Sequence, residues 1–121
     1  MRDKLEVFIK INEVLALWLA NDRAELTIEG IFVMESGIGY FVSSMSDVDE
    51  KSRAVMVNFH GLEKSLLSSV PAYGGGKYSY FDNAMISGVL SKSPHAEFQY
   101  AIGRVHDFVV YKYGEGMNVN L

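Results

Sequence analysis

Apolar residues recur at three- and four-residue steps near the start of the chain, where Leu5, Phe8, Ile11, Leu15 and Trp18 form one stripe. That spacing is the buried face of a helix. Val7, Val14 and Leu17 widen the stripe and leave Glu6, Lys10 and Glu13 as its polar positions. A helix is expected over Asp3–Ala20, stopping at Asn21-Asp22, so that residues 1–22 make an N-terminal helical unit packed on more than one side.

From Leu26 the period shortens to two. Leu26–Glu35 (LTIEGIFVME) is rich in β-branched and aromatic residues and reads as a long strand, with Gly30 as a bend or bulge. Ser36-Gly37-Ile38-Gly39 supplies a tight turn, and Tyr40–Ser44 the return strand of a hairpin. Ser46–Arg53 (SDVDEKSR) reads as a solvated loop and Ala54–Phe59 as a third strand. Leu62, Leu66 and Val70 then recur at four-residue steps, which predicts a short helix over Gly61–Val70, ended by Pro71. Ala84–Ser91 reads as a fourth strand containing Gly88. Phe98–Tyr113 is a long fifth strand, or two consecutive ones, bending at Gly103. Residues 114–121 are expected to fray as a flexible tail.

These elements predict a single domain whose β-rich core spans residues 26–113. The fold class is α+β or mainly β: a small antiparallel barrel of five to six strands with an N-terminal helix and a short helix between the third and fourth strands. The competing arrangement is an open antiparallel sheet with both helices on one face. At 121 residues and 49% apolar content the chain can bury a substantial core.

Charge and composition narrow the function. The absence of cysteine excludes a disulfide framework, a thiolate nucleophile and a cysteine-rich metal site. Val14–Ala20 falls short of the roughly 20 residues a spanning helix needs, and the charges at Glu6, Lys10 and Glu13 break a signal-peptide pattern. A soluble, cytoplasmic domain with no membrane contact is expected. Eleven basic against fifteen acidic residues give a net charge of −4, with the basic residues spread singly. No phosphate-binding cluster is visible, so nucleic acid is disfavoured and a partner protein with a basic surface is favoured.

Catalytic patterns are absent on inspection. His60, His95 and His106 show no helical metal spacing, and His106 and Asp107, adjacent on a strand, point to opposite faces. Ser36 in ESGIG lacks the first glycine and the strand-to-helix setting of a nucleophile elbow. In Gly74-Gly75-Gly76-Lys77 the lysine is followed by Tyr78, which is not a phosphate loop. Asp47, Asp49 and Glu50 alternate like a calcium loop, but Ser52 and Asn58 stand where its glycine and final glutamate are required. The chain is therefore expected to be non-enzymatic and to carry no metal or cofactor.

One segment is unlike ordinary scaffold: Val70–Asn83, VPAYGGGKYSYFDN. In one reading Tyr78, Tyr80 and Phe81 plug an end of the barrel and the glycines permit the turn. In a second, Tyr73, Tyr78 and Tyr80 form a protein contact assisted by Asp47, Asp49 and Glu50. A third gives the segment to a small ligand or to nucleic acid.

The order of three strands, a helix and two strands over Leu26–Tyr113 resembles the OB-fold, a small barrel. The resemblance implies single-stranded nucleic-acid or oligosaccharide binding on its second and third strands, where Tyr40 and Phe41 would stack on bases, although few Lys or Arg accompany them. In general character the chain is also similar to small acidic bacterial immunity proteins, a resemblance that implies a toxin-neutralising or inhibitory module and carries over no particular residue. The favoured expectation is a non-enzymatic protein-binding module; nucleic-acid or oligosaccharide binding is the alternative.

Overall fold

A computed structural model of the chain describes residues 8–10 and 25–121. Among the described residues there are seven strands, β1 (Phe8–Lys10), β2 (Glu25–Glu35), β3 (Ile38–Val42), β4 (Val55–Val57), β5 (Tyr80–Lys92), β6 (Tyr100–Lys112) and β7 (Glu115–Asn118), with one short helix, α1 (Leu62–Leu67), between β4 and β5. Two single 3-10 turns, Met45–Asp47 and Lys51–Arg53, shape the β3–β4 loop.

Five strands close on themselves in the order β2-β3-β4-β6-β5, because β2 pairs with β3 over Ile31–Glu35 and with β5 from Glu25↔Val89 to Met34↔Tyr80. The result is a closed five-stranded barrel, compatible with an OB-like fold and not with an open sheet. It is not wholly antiparallel. β4 runs parallel to β6 through Val55↔Tyr100 and Val57↔Ile102, since α1 and β5 intervene and reset the chain direction. Two short strands lie outside the ring. β1 runs parallel to β2 at Thr27–Glu29, and β7 folds back on β6 at Val109–Lys112.

Three sequence expectations change. The predicted helix over Asp3–Ala20 lies outside the described residues except at Phe8–Lys10, which is extended and paired rather than helical. The expected flexible tail is the ordered strand β7, and Val119 beyond it is buried and donates its N–H to the Phe108 carbonyl at 2.8 Å. β5 starts at Tyr80, so the last four residues of the aromatic–glycine segment, Tyr80–Asn83, belong to the ladder rather than to a loop. The hairpin at Ser36-Gly37 is confirmed, with both residues at positive φ (54° and 80°) as a type I′ turn requires, although β3 begins earlier than expected at Ile38.

The interior follows from strand alternation. Ile28, Phe32 and Met34 of β2, Phe41 of β3, Ile86 and Leu90 of β5, and Phe108 and Val110 of β6 fill the barrel. Phe32 is central, with ring centroids 5.1 Å from Phe108 and 5.5 Å from Phe41. Leu62 and Leu66 of α1, with Val70 just after it, join the same cluster and close one end of the barrel. Gly39 makes room there: a Cβ at this position would lie 2.8 Å from the Phe32 ring and the Leu62 methyl. On the other side, Gly88 passes so close to Gly103 that a Cβ would lie 2.4 Å from its carbonyl oxygen, at the point where the β5–β6 register shifts. Gly103 is the residue at which the sequence places the bend of the last long strand.

Candidate protein-contact surface

The outward positions of β2 and β3 carry a second apolar cluster: Val33, Tyr40 and Val42, with Ala54 beside them. In an OB-like barrel the second and third ring strands, here β3 and β4, take oligonucleotides and oligosaccharides on their outer face, so Tyr40 and Val42 of β3 are the members of this cluster that bear on such binding. Here the chain covers the cluster with its own loops. Val48 from the β3–β4 loop, Phe98 from the β5–β6 loop, and Tyr78 and Phe81 all pack on the cluster. Tyr40 is 1% exposed, donates its hydroxyl to the Val48 carbonyl at 2.9 Å and packs at a tilt against the Phe98 ring, centroids 5.3 Å apart. Burial, then the carboxylates of Glu35, Asp49 and Glu97 and the neighbouring Tyr78, push the Tyr40 phenol well above its usual range. Phe41 points into the barrel and is fully buried. Neither candidate stacking residue is available to a base.

The signal for this covering was present in the sequence. Val48 and Phe98 are large apolar residues in otherwise polar loops, SDVDEKSR and KSPHAEF. A polar loop that keeps one such residue uses it as an anchor, so Ser46–Arg53 is a clamp rather than a freely solvated loop.

The aromatic–glycine segment divides between core and surface. Tyr80 is completely buried, lies 6.1 Å from Phe32 and donates to the Val70 carbonyl at 2.7 Å. Burial, followed by the charges of Glu63 and Asp82, pushes its phenol up to about 12. Tyr80 is thus a barrel-end plug, and its expected place in a contact surface is corrected: strand alternation from β5 turns it inward. Phe81, one residue on, turns outward and meets Tyr78 edge-on at 5.4 Å.

Tyr73 lies on the same end of the barrel, half-exposed. Its hydroxyl donates to Asp82 Oδ1 at 3.0 Å and its ring covers Lys112 Nζ at 3.7 Å. Beneath it Lys112 and Asp82 form an interior ion pair of 3.0 Å, with side chains 2% and 8% exposed. Extending the Ala84↔Val110 register by two residues sets these two side chains directly opposite each other. Between Tyr73 and Tyr78 the loop closes on itself through Tyr73 N–H to the Ser79 carbonyl, while the glycines at its tip have nothing within contact range of a Cβ.

Tyr78 joins the acidic loop. Its hydroxyl donates to Asp49 Oδ1 at 3.3 Å, and Lys77 Nζ stands 3.7 Å from Asp49 and 3.8 Å from Glu35. Those charges, Glu35 foremost, raise the Lys77 ammonium above its usual range. Glu35 also approaches Lys51 at 3.9 Å, and Lys51 reaches Glu97 at 3.8 Å, so three loops meet in one charged network. Asp47 is turned to local work: it accepts from Ser43 at 2.9 Å and faces Arg53 at 3.8 Å. Asp49 and Glu50 stay exposed. Of the six residues expected to form a contact, Tyr78, Asp49 and Glu50 share one surface, Tyr73 lies past Phe81 on the barrel end, Asp47 braces the loop, and Tyr80 is core.

The histidines are dispersed: His95 packs on Phe98, His106 faces Glu25 at 3.3 Å, and His60 lines an open depression of about 440 Å³ with Asn58 and Glu63. Among the described residues no three His, Cys, Asp or Glu side chains converge as a metal set, and no helix is long and apolar enough to cross a membrane.

The chain matches no protein-family model, no curated protein and no solved structure. Its fold and surface are therefore read from their own geometry.

Proposed function

We propose that this domain is a non-enzymatic protein-binding module whose contact surface is the loop rim around Tyr78, Asp49 and Glu50, with Tyr73 at its edge. The observation that carries the reading is self-occlusion: the face an OB-like barrel would offer to an oligonucleotide is filled by Val48, Phe98 and Tyr78. What the chain leaves accessible instead is aromatic and acidic side chains on loops held by a rigid barrel, an arrangement suited to protein recognition. The net charge of −4 favours a partner with a basic surface, and a toxin-neutralising or otherwise inhibitory role is the specific form of the proposal.

The test compares affinity capture from an extract of the source organism by the wild-type domain and by a Tyr78→Ala, Asp49→Asn, Glu50→Gln variant. A basic protein held by the first and lost by the second, with both folded by circular dichroism, supports the reading. Equal capture by both rejects the surface. In parallel, anisotropy of labelled single-stranded DNA at low salt should stay flat. Micromolar binding that weakens steeply with salt would restore the nucleic-acid alternative.

A further inference from the structure

Glu35 ends β2 at the hairpin, two residues beyond Val33 and so on the same outward side, with its side chain 23% exposed. Its two carboxylate oxygens serve different loops. Oε1 faces Lys51 of the β3–β4 loop at 3.9 Å, and Oε2 faces Lys77 of the aromatic–glycine loop at 3.8 Å. Each lysine reaches a further carboxylate on another loop. Lys51 meets Glu97 of the β5–β6 loop at 3.8 Å, and Lys77 meets Asp49 of the β3–β4 loop at 3.7 Å. The same Asp49 oxygen accepts the Tyr78 hydroxyl at 3.3 Å. Glu97, Lys51, Glu35, Lys77 and Asp49 thus form a chain of alternating charge with Glu35 at its centre.

The loops joined in this way are the ones whose Val48, Phe98 and Tyr78 cover Val33, Tyr40 and Val42. Two kinds of force therefore hold the cover. The apolar anchors seat each loop separately on the cluster, and burial of apolar surface is not screened by ions. The ion pairs tie loop to loop between groups open to solvent, and their attraction fades as salt is added. Charge also makes the loops share the cost of opening. Lifting the β3–β4 loop takes Lys51 from Glu35 and, in the same movement, Asp49 from Lys77.

We infer that the cover over the outward cluster is a salt-released clasp pinned at Glu35. At low ionic strength it holds the β3–β4 and aromatic–glycine loops down as one unit; at high ionic strength both open more often and bare Tyr40 and Val42. This goes beyond the protein-binding role proposed above and does not depend on it, since the clasp concerns how the rim is held, whatever the partner.

The test is amide hydrogen exchange of the full chain, read by mass spectrometry over residues 45–53 and 71–79, with residues 84–91 of β5 as internal reference. It is run at about 0.01 M and about 1 M sodium chloride, where the Debye length is about 30 Å and about 3 Å. In the wild type both loops should exchange about fivefold faster at the higher salt, the worth of a small network of exposed pairs, relative to the β5 reference. Glu35→Gln keeps the size of the side chain and removes its charge. At low salt it should quicken both loops by a similar factor, and at high salt it should match the wild type. That convergence separates a charged pin from a packing role. Wild-type loops that ignore salt, quickening of one loop alone, or a Glu35→Gln effect that persists at high salt would overturn the inference. Should Glu35→Gln also quicken the β5 reference, the salt series on the wild type decides alone. The two readings fail separately: an unmoving cover leaves the rim standing, and an absent partner leaves the clasp standing.

Discussion

The interior ion pair under Tyr73 permits a quantitative test of how the aromatic–glycine loop is held. Lys112→Met keeps most of the apolar stem and removes the ammonium, leaving Asp82 with a side chain 8% exposed and no counter-charge. Removing one member of a buried pair costs roughly 3–5 kcal/mol. Asp82 keeps the hydroxyl of Tyr73 at 3.0 Å and the N–H of Phe81 at 3.2 Å, which places the loss at the lower end, about 3 kcal/mol. With a urea slope of about 1.5 kcal/mol/M, the midpoint should fall by about 2 M. Asp82→Asn combined with Lys112→Met removes both charges and should recover most of that loss, because two neutral groups no longer carry an uncompensated desolvation cost. Hydrogen exchange across residues 72–79 should quicken in the single variant, since Tyr73 loses the cation beneath its ring. A midpoint shift under about 0.5 M, or a double variant as unstable as the single one, would refute this account of the barrel end.

Other consequences follow from the same packing. Tyr80→Phe strands the Val70 carbonyl and should cost about 1–2 kcal/mol in urea unfolding. Because the Tyr80 phenol is raised to about 12 from 10.0, the folded state keeps its proton where the unfolded chain loses it. The stability this contributes is complete below pH 10 and is lost as pH rises toward 12; Tyr80→Phe should flatten that alkaline decline, and an unchanged slope would contradict the assignment. Gly39→Ala must push a Cβ against the Phe32 ring and Leu62; a loss of about 1–3 kcal/mol is expected, and a neutral result would mean that α1 is less firmly seated than its burial implies. Phe98→Ala uncovers the outward cluster, so binding of a hydrophobic dye should rise without loss of far-UV circular dichroism; no rise would argue against the loop as a cover.

Much of the barrel was legible in the chain. Period-two patterning located the five ring strands, Gly103 marked a bend in the last long one, and the four-residue recurrence of Leu62, Leu66 and Val70 placed α1. These signals are local, arising from backbone preference and from which side of each element is apolar. The strand at Glu115–Asn118 escaped because EGMN has no alternating pattern of its own and becomes a strand only by pairing with β6.

The sequence by itself determined the order of the five ring strands and α1, the acidic balance and the odd aromatic–glycine segment. Only the tertiary structure decided which aromatics are surface. Tyr78 and Tyr80 differ by two positions and look alike in the chain, yet Tyr80 stands on an inward strand position over Val70 while Tyr78 lies on a loop against Asp49. Likewise, Tyr113 draws no attention as the last residue of an apolar run until its positive φ and its exposure are known. Ring closure sets these fates: pairing β2 with β5 fixes which side of each strand faces the interior, and that pairing joins residues from 46 positions apart (Met34↔Tyr80) to 64 (Glu25↔Val89).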